Sequence, residues 1–299
     1  VREGADQQRA AVAFRHPPPD TLWTIVGHKR MWERRRDDDD FGSVRVAVGP
    51  QQFAKRLTPP ESQPLEDLEP LTTGALRRFI RTHRLVQSVP LAMNLGGFRE
   101  IRLVGDEDAC RKLAYAMVAQ TVTWHAPADM RLMVCAAPEN QDAWQWVKWL
   151  PHLKHPSERD GAGPVRLFAT SADDLQTLSL NQAGQESDPA QIVVLVDGVD
   201  DVVAAQYGTP GAQTLGLHVC NDQQVPRRIQ ERVAFLEVND DTITLHRRTP
   251  KGVIARTSLG RPDGVEKVYL EMLAHQMARY QLPVAAAAAE EEDLSLIHI

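Results

Sequence analysis

The stretch IRLVGDEDACRKLAYAMV, residues 101–118, reads as a short apolar strand, a glycine, an acidic turn and a helix. A phosphate-binding loop has the form GxxxxGK[ST] between a strand and a helix, with backbone N–H groups turned inward around the phosphates. On that template Gly105 is the first glycine. Cys110 replaces the second, Arg111 the lysine and Lys112 the hydroxyl residue. A cysteine forced to positive φ costs on the order of 1 kcal/mol that glycine avoids. Arginine keeps the charge but presents a planar fork instead of a compact ammonium. Lys112 has no hydroxyl for Mg²⁺, and Asp106, Glu107 and Asp108 set carboxylates where a phosphate would lie. Downstream, QIVVLVD at 191–197 is a buried-type strand ending in Asp197, the form of a Walker B element that positions Mg²⁺. Gly198 stands where a water-polarising glutamate commonly follows, and Asp200 and Asp201 read as turn residues. The pattern is that of a nucleotide-site chassis with altered chemistry, and the loop taken alone reads equally as an ordinary strand–helix turn, since acidic residues often follow parallel strands at turns.

Around these two segments short apolar runs alternate with helical patterns. Strands are expected at 43–48, 90–95, 101–104, 131–135, 165–169, 192–196 and 217–220, with helices near 71–85, 108–123, 141–150 and 172–180. In the 71–85 helix Leu76, Phe79 and Ile80 are expected inward and Arg77, Arg78 and Arg81 outward. The runs 234–238 and 242–246 flank Asn239-Asp240-Asp241 as a hairpin. A closing helix over 264–280 places Val265, Val268, Tyr269, Met272, Leu273 and Met277 on one apolar stripe. The fold class that follows is α/β, a mostly parallel sheet covered by helices.

Composition excludes several classes. The chain has 299 residues, 42% hydrophobic and 25% charged, as in ordinary globular proteins. Thirty-four Lys and Arg against 40 Asp and Glu give net charge −6, which argues against a nucleic-acid partner. Cys110, Cys135 and Cys220 form no CxxC pair and read as small buried residues in a reducing compartment. No apolar run approaches the roughly 18–20 residues that cross a bilayer. The histidines show no zinc spacing, and His152 and His155 are expected to be solvated. The cluster Trp144, Trp146 and Trp149 offers either a core edge or an interface anchor.

The first 36 residues form a basic arm, eight Arg and Lys against four Asp and Glu, broken by Pro17-Pro18-Pro19. Asp20 is expected to cap a second helical segment bearing Leu22, Trp23, Val26 and Trp32. The run RRRDDDD ending at Asp40 reads as a solvated boundary.

The segments RHPPPDTLW (15–23), KRMWERR (29–35), DFGSVRVAVGPQ (40–51), ALRRFIRTH (75–83) and VPLAMNLGGFREIRLVGD (89–106) resemble EccC, the FtsK/SpoIIIE-type ATPase family of actinobacterial type VII (ESX) secretion systems. The resemblance implies a P-loop NTPase-like domain of the RecA/FtsK type behind an N-terminal helical stalk. It places residues 1–40 in the membrane-proximal stalk, 41–283 in an ATPase-like α/β domain and 284–299 in a linker or tail. It implies a fragment of a longer chain, at the cytosolic face of the inner membrane. Partners implied are other core membrane components, distal ATPase domains of the same chain and a hexameric whole machine. ATP and Mg²⁺ are the implied cofactors, held weakly or not at all by Gly105, Cys110, Arg111, Lys112 and Asp197. The leading expectation is a module that couples distal motors to the membrane channel without hydrolysis of its own. An active Mg-dependent ATPase domain and an FtsK-like DNA translocase module are the alternatives.

Overall fold

Of the apolar strands expected between residues 101 and 220, those at 101–104, 131–135, 192–196 and 217–220 lie side by side in one sheet, while the one expected at 165–169 splits: only Phe168–Ala169 joins that sheet, and Gly163–Arg166 belongs to a separate hairpin. A computed structural model of the protein describes residues 2–54, 70–178, 190–207 and 213–280. In chain order the elements are α1 (Arg2–Arg15), β1 (Ser43–Gln52), α2 (Pro70–His83), β2 (Leu85–Asn94), β3 (Glu100–Gly105) and α3 (Glu107–Trp124). Next come β4 (Met130–Ala136), β5 (Lys154–Asp160), β6 (Gly163–Arg166), β7 (Phe168–Ala169), α4 (Ala172–Thr177), β8 (Gln191–Asp197) and β9 (Thr214–Val219). The chain closes with β10 (Val233–Val238), β11 (Ile243–Arg248), β12 (Ile254–Pro262) and α5 (Lys267–Met277). The main sheet runs β2-β1-β12-β11-β10-β3-β9-β8-β4-β7, and β5 and β6 form a separate hairpin.

From β10 to β7 every pairing is parallel; from β10 to β2 every pairing is antiparallel. Side-chain alternation divides the core between the two faces. Leu103 and Leu236 join the main cluster, whereas Val104, Val233 and Phe235 join a smaller one on the opposite face with Ile229. In β8 every residue from Ile192 to Asp197 is buried, as a strand covered on both sides requires. The expected hairpin is β10–β11, with Asn239 Oδ1 accepting from the N–H groups of Asp241 (3.2 Å) and Thr242 (2.8 Å).

Helix α3 is buried nearly all round and forms the centre of the molecule. The last carbonyls of a helix lack partners within it. Here the N-terminal segment supplies them. Trp32 N–H donates to Thr123 O (2.9 Å), Arg34 N–H to Trp124 O (3.0 Å) and Trp32 Nε1 to Val122 O (3.1 Å). The guanidinium groups of Arg30 and Arg34 lie 4.9 and 4.7 Å from the Trp124 ring. Arg34, read from its charge run as solvated, is therefore buried, and Arg36 pairs with Asp129 at 3.0 Å. Asp20 caps nothing: Pro18 precedes a 3-10 helix over Pro19–Thr24 with no side-chain cap, and Leu22 is fully buried. Helix α1 has no buried residue.

Three further expectations change. Helix α5 buries Leu270, Leu273, Ala274 and Met277 and exposes Val268, Tyr269 and Met272, so the true stripe is rotated from the expected one. Phe79 of α2 is exposed and stacks on His83, while the Leu76 and Arg77 side chains lie outside the described residues. His152 and His155 are buried. Burial lowers the His152 pKa to about 3, the backbone contact with His125 O opposing it only in part.

Candidate functional site

Strand β3 ends at Gly105 and α3 begins at Glu107, so one residue separates them. That residue, Asp106, caps the helix: its Oδ1 accepts from Ala109 N–H at 2.9 Å. Gly105 has φ +124°, and a Cβ there would lie 2.1 Å from Val238 O. The glycine admits the backbone of β10, and Asp106 N–H donates to the same Val238 oxygen at 3.0 Å. The acidic turn expected to repel a phosphate is thus a helix start, with Glu107 and Asp108 favourably placed at the positive end of the helix dipole.

Cys110 lies in the first turn of α3, fully buried, rather than in a turn of positive φ. Its thiol is pushed above the ordinary range by a hydrogen bond with Cys220 and by burial, which leaves it inert as a nucleophile. Lys112 faces away from the sheet edge. Its Nζ pairs with Asp108 (3.0 Å) and Glu266 (3.1 Å), tying α3 to the approach of α5. The hydrogen bond to Asp108 leads the causes that raise its pKa.

The structure does bring Arg111 and Asp197 together. Arg111 Nε donates to Asp197 Oδ2 at 3.1 Å and Nη2 to Glu107 Oε1 at 2.8 Å. Asp197 is 1% exposed and also accepts from Asn140 Nδ2 (2.9 Å, Oδ1) and Trp144 Nε1 (2.7 Å, Oδ2). Desolvation works against the Arg111 charge, but hydrogen bonds to Asp197 and Glu107 outweigh it and raise the pKa. Sequence reading missed Asn140 and Trp144 as members of this cluster. Both sit on the 3-10 helix Pro138–Trp149 that follows β4, and β4 pairs with β8 in parallel register, Ala136 beside Asp197. That strand adjacency is the signal that leads to them. Of the three tryptophans, Trp144 and Trp146 are buried and only Trp149 is exposed.

These residues do not fit MgATP as they stand. The space a phosphate cradle needs is missing, because the loop is a single residue and the Gly105 cleft is filled by Val238 O. Both oxygens of Asp197 are engaged by protein donors, so the arginine holds the place of a cation. Among the described residues no group of three or more His, Cys, Asp or Glu is arranged to hold a metal ion. None of the described helices is long and apolar enough to cross a membrane.

No protein-family model matches the chain. Its whole length aligns at 37% identity with the ESX secretion system protein EccC of Thermomonospora curvata, over 24% of that protein. The chain belongs to the EccC family. Fifty-nine per cent of it aligns at 35% identity with the ESX-4 secretion system protein EccC4 of Mycobacterium tuberculosis, over 14% of that protein. This EccC segment thus spans about a quarter of the relative that it matches end to end. The solved cytoplasmic domain of the T. curvata type VII secretion ATPase EccC superposes with TM-score 0.48 at 9% identity, over 92% of this chain and 35% of that one.

Proposed function

We propose that this segment is a coupling module of a type VII secretion motor, ATPase-shaped but without hydrolysis of its own. The carrying observation is that the oxygens of Asp197, the residue that would position Mg²⁺, accept from Arg111, Asn140 and Trp144. In this reading the α/β body transmits movement between distal ATPase domains of the same polypeptide and membrane components of the secretion channel. Helix α1 lies along the β1–β2 edge, with Gln8 donating to Gln52 O (2.9 Å) and Arg9 to Gln87 O (3.3 Å), and in this reading it is the base of a stalk leading toward a membrane at the cytosolic face. Assembly as a hexamer belongs to the whole machine. The integral packing of Trp32 and Arg34 on the end of α3 supports a mechanical link, because a pull on the arm reaches the central helix directly.

The test is a thermal melt of the chain with and without millimolar MgATP and MgADP, paired with a turnover assay. A ligand at about 100 times its Kd adds roughly 2.7 kcal/mol of stability. The expected result is no shift and no turnover. Substantial MgATP turnover that disappears in Asp197→Ala overturns the reading and makes the segment an active ATPase domain.

A further inference from the structure

We propose that the antiparallel half of the sheet carries a docking groove for an acidic peptide segment with leucine-sized apolar anchors. Residues from β2, β1, β12, β11 and β10 line one cavity of about 430 Å³. Its apolar wall is Val46, Leu91, Leu245 and Leu259. Val46 is buried in the main core, and the three leucines are partly exposed at its outer edge. The volume lies within the roughly 300–1,000 Å³ of sites that enclose small groups, enough for one or two aliphatic side chains.

The rim is basic. Arg232, Arg247 and Arg248 line the cavity, all three are exposed, and no carboxylate lines it. Arg232 Nη2 donates to Gly96 O at 3.0 Å, which holds its charge at the rim without neutralising it. Arg247 and Arg248 sit at the end of β11, opposite Ala255 and Ile254 of β12, with no ion pair to any described residue. Within the antiparallel half Arg45 pairs with Asp263 at 2.7 Å and Arg256 lies 3.6 Å from Glu237, so the guanidinium groups at the cavity differ from these neighbours in having no carboxylate partner among the described residues. Three cations around an apolar cavity are complementary to carboxylates flanking an apolar side chain. A flat anionic bilayer would meet the arginines but not enter a concavity formed by five strands, so the geometry favours a peptide.

The experiment is fluorescence anisotropy of a short fluorescein-labelled peptide of glutamate, aspartate and leucine, titrated with the 299-residue chain. We expect saturable binding. It should weaken about tenfold or more in Arg247→Glu/Arg248→Glu, with serine in place of the peptide's leucines, and on raising salt from about 50 to about 500 mM. Circular dichroism checks that the charge-reversed chain is folded; should it not be, Arg248→Gln with the serine peptide gives the same decision. No binding, binding indifferent to the arginines, or binding indifferent to the leucines each overturns the proposal. Co-sedimentation with phosphatidylglycerol vesicles, abolished by the charge reversal while the peptide stays unbound, also overturns it and assigns this face to a lipid surface.

Discussion

Arg111, on the parallel half of the sheet, donates to Glu107 and Asp197, whereas Arg247 and Arg248, on the antiparallel half, face no described carboxylate. The two halves share one sheet through β10, yet one has closed its functional edge with its own side chains and the other leaves a groove open. Closure on the parallel side follows from neighbouring strands. Because β4 and β8 are parallel and adjacent, the segments after them converge, and Asn140, Trp144 and Asp197 meet around the first turn of α3. On the antiparallel side the cavity lined by β2, β1, β12, β11 and β10 is filled by no element of the described chain. A charge paired within the chain contributes to the fold; a charge left unpaired beside apolar surface is available to a partner.

Acid sensitivity sharpens this contrast most. His152 follows β4 and His218 lies in β9, both in the parallel half, while His125 at the end of α3 accepts from Gly42 N–H beside β1; desolvation by burial lowers their pKa values to about 3, about 4 and about 4. Their unfolded value is near 6.5, so between about pH 4 and 6.5 the unfolded chain binds more protons. Stability therefore falls as pH drops through that window. From pH 7 to 5 each histidine costs roughly 2 kcal/mol and the three together on the order of 5 kcal/mol. Denaturant midpoints at pH 7, 6 and 5 check this; a flat profile means that these rings are not buried neutral. Next in size is Asp197→Ala, which leaves the Arg111 charge only the exposed Glu107 and strands the Trp144 indole N–H. Removing one partner of such a buried pair costs about 3–5 kcal/mol, measurable as a lower urea midpoint at unchanged slope. An unaffected midpoint would mean that the edge is not held shut by Arg111.

How far this division was legible in the sequence depends on the distance between partners. The strand–glycine–helix unit at 101–118 and the β10–β11 hairpin were readable because their contacts are local. The antiparallel extension was not: β1 joins β12 through Ala47 and Pro262, residues far apart in the chain with no shared motif. Charge runs misled for a related reason. Arg34 looks like one of a solvated series until the end of α3 is brought to it, and Asp106 looks like a repulsive carboxylate until the helix begins one residue later. Periodicity identified α5 as amphipathic but omitted Leu270, and only its packing partners fix which side of a helix so rich in apolar residues is inward.

Gly105→Ala tests whether that glycine serves the sheet or a phosphate. The new methyl would sit 2.1 Å from Val238 O at a positive φ, so β3 and β10 must separate. A loss of about 2–3 kcal/mol is expected, with faster amide exchange in β10. An unchanged stability would return Gly105 to the role of a loop residue. Asp106→Ala removes only the cap, costing about 1 kcal/mol by the same melts.

The smallest effect is expected from Arg247→Glu and Arg248→Glu, and its smallness is the point. Both side chains are exposed and have no described ion-pair partner, so each change should alter the denaturant midpoint by no more than about 0.5 kcal/mol. On the parallel side, by contrast, one lost carboxylate costs several times as much. If the two reversals proved as damaging as Asp197→Ala, the arginines would be integral to the fold, and the open half would differ from the closed half only in where its partners lie. A near-neutral result keeps the distinction: arginine stabilises the chain where it meets Asp197 in one half and Asp263 in the other, and is held in reserve at the cavity rim.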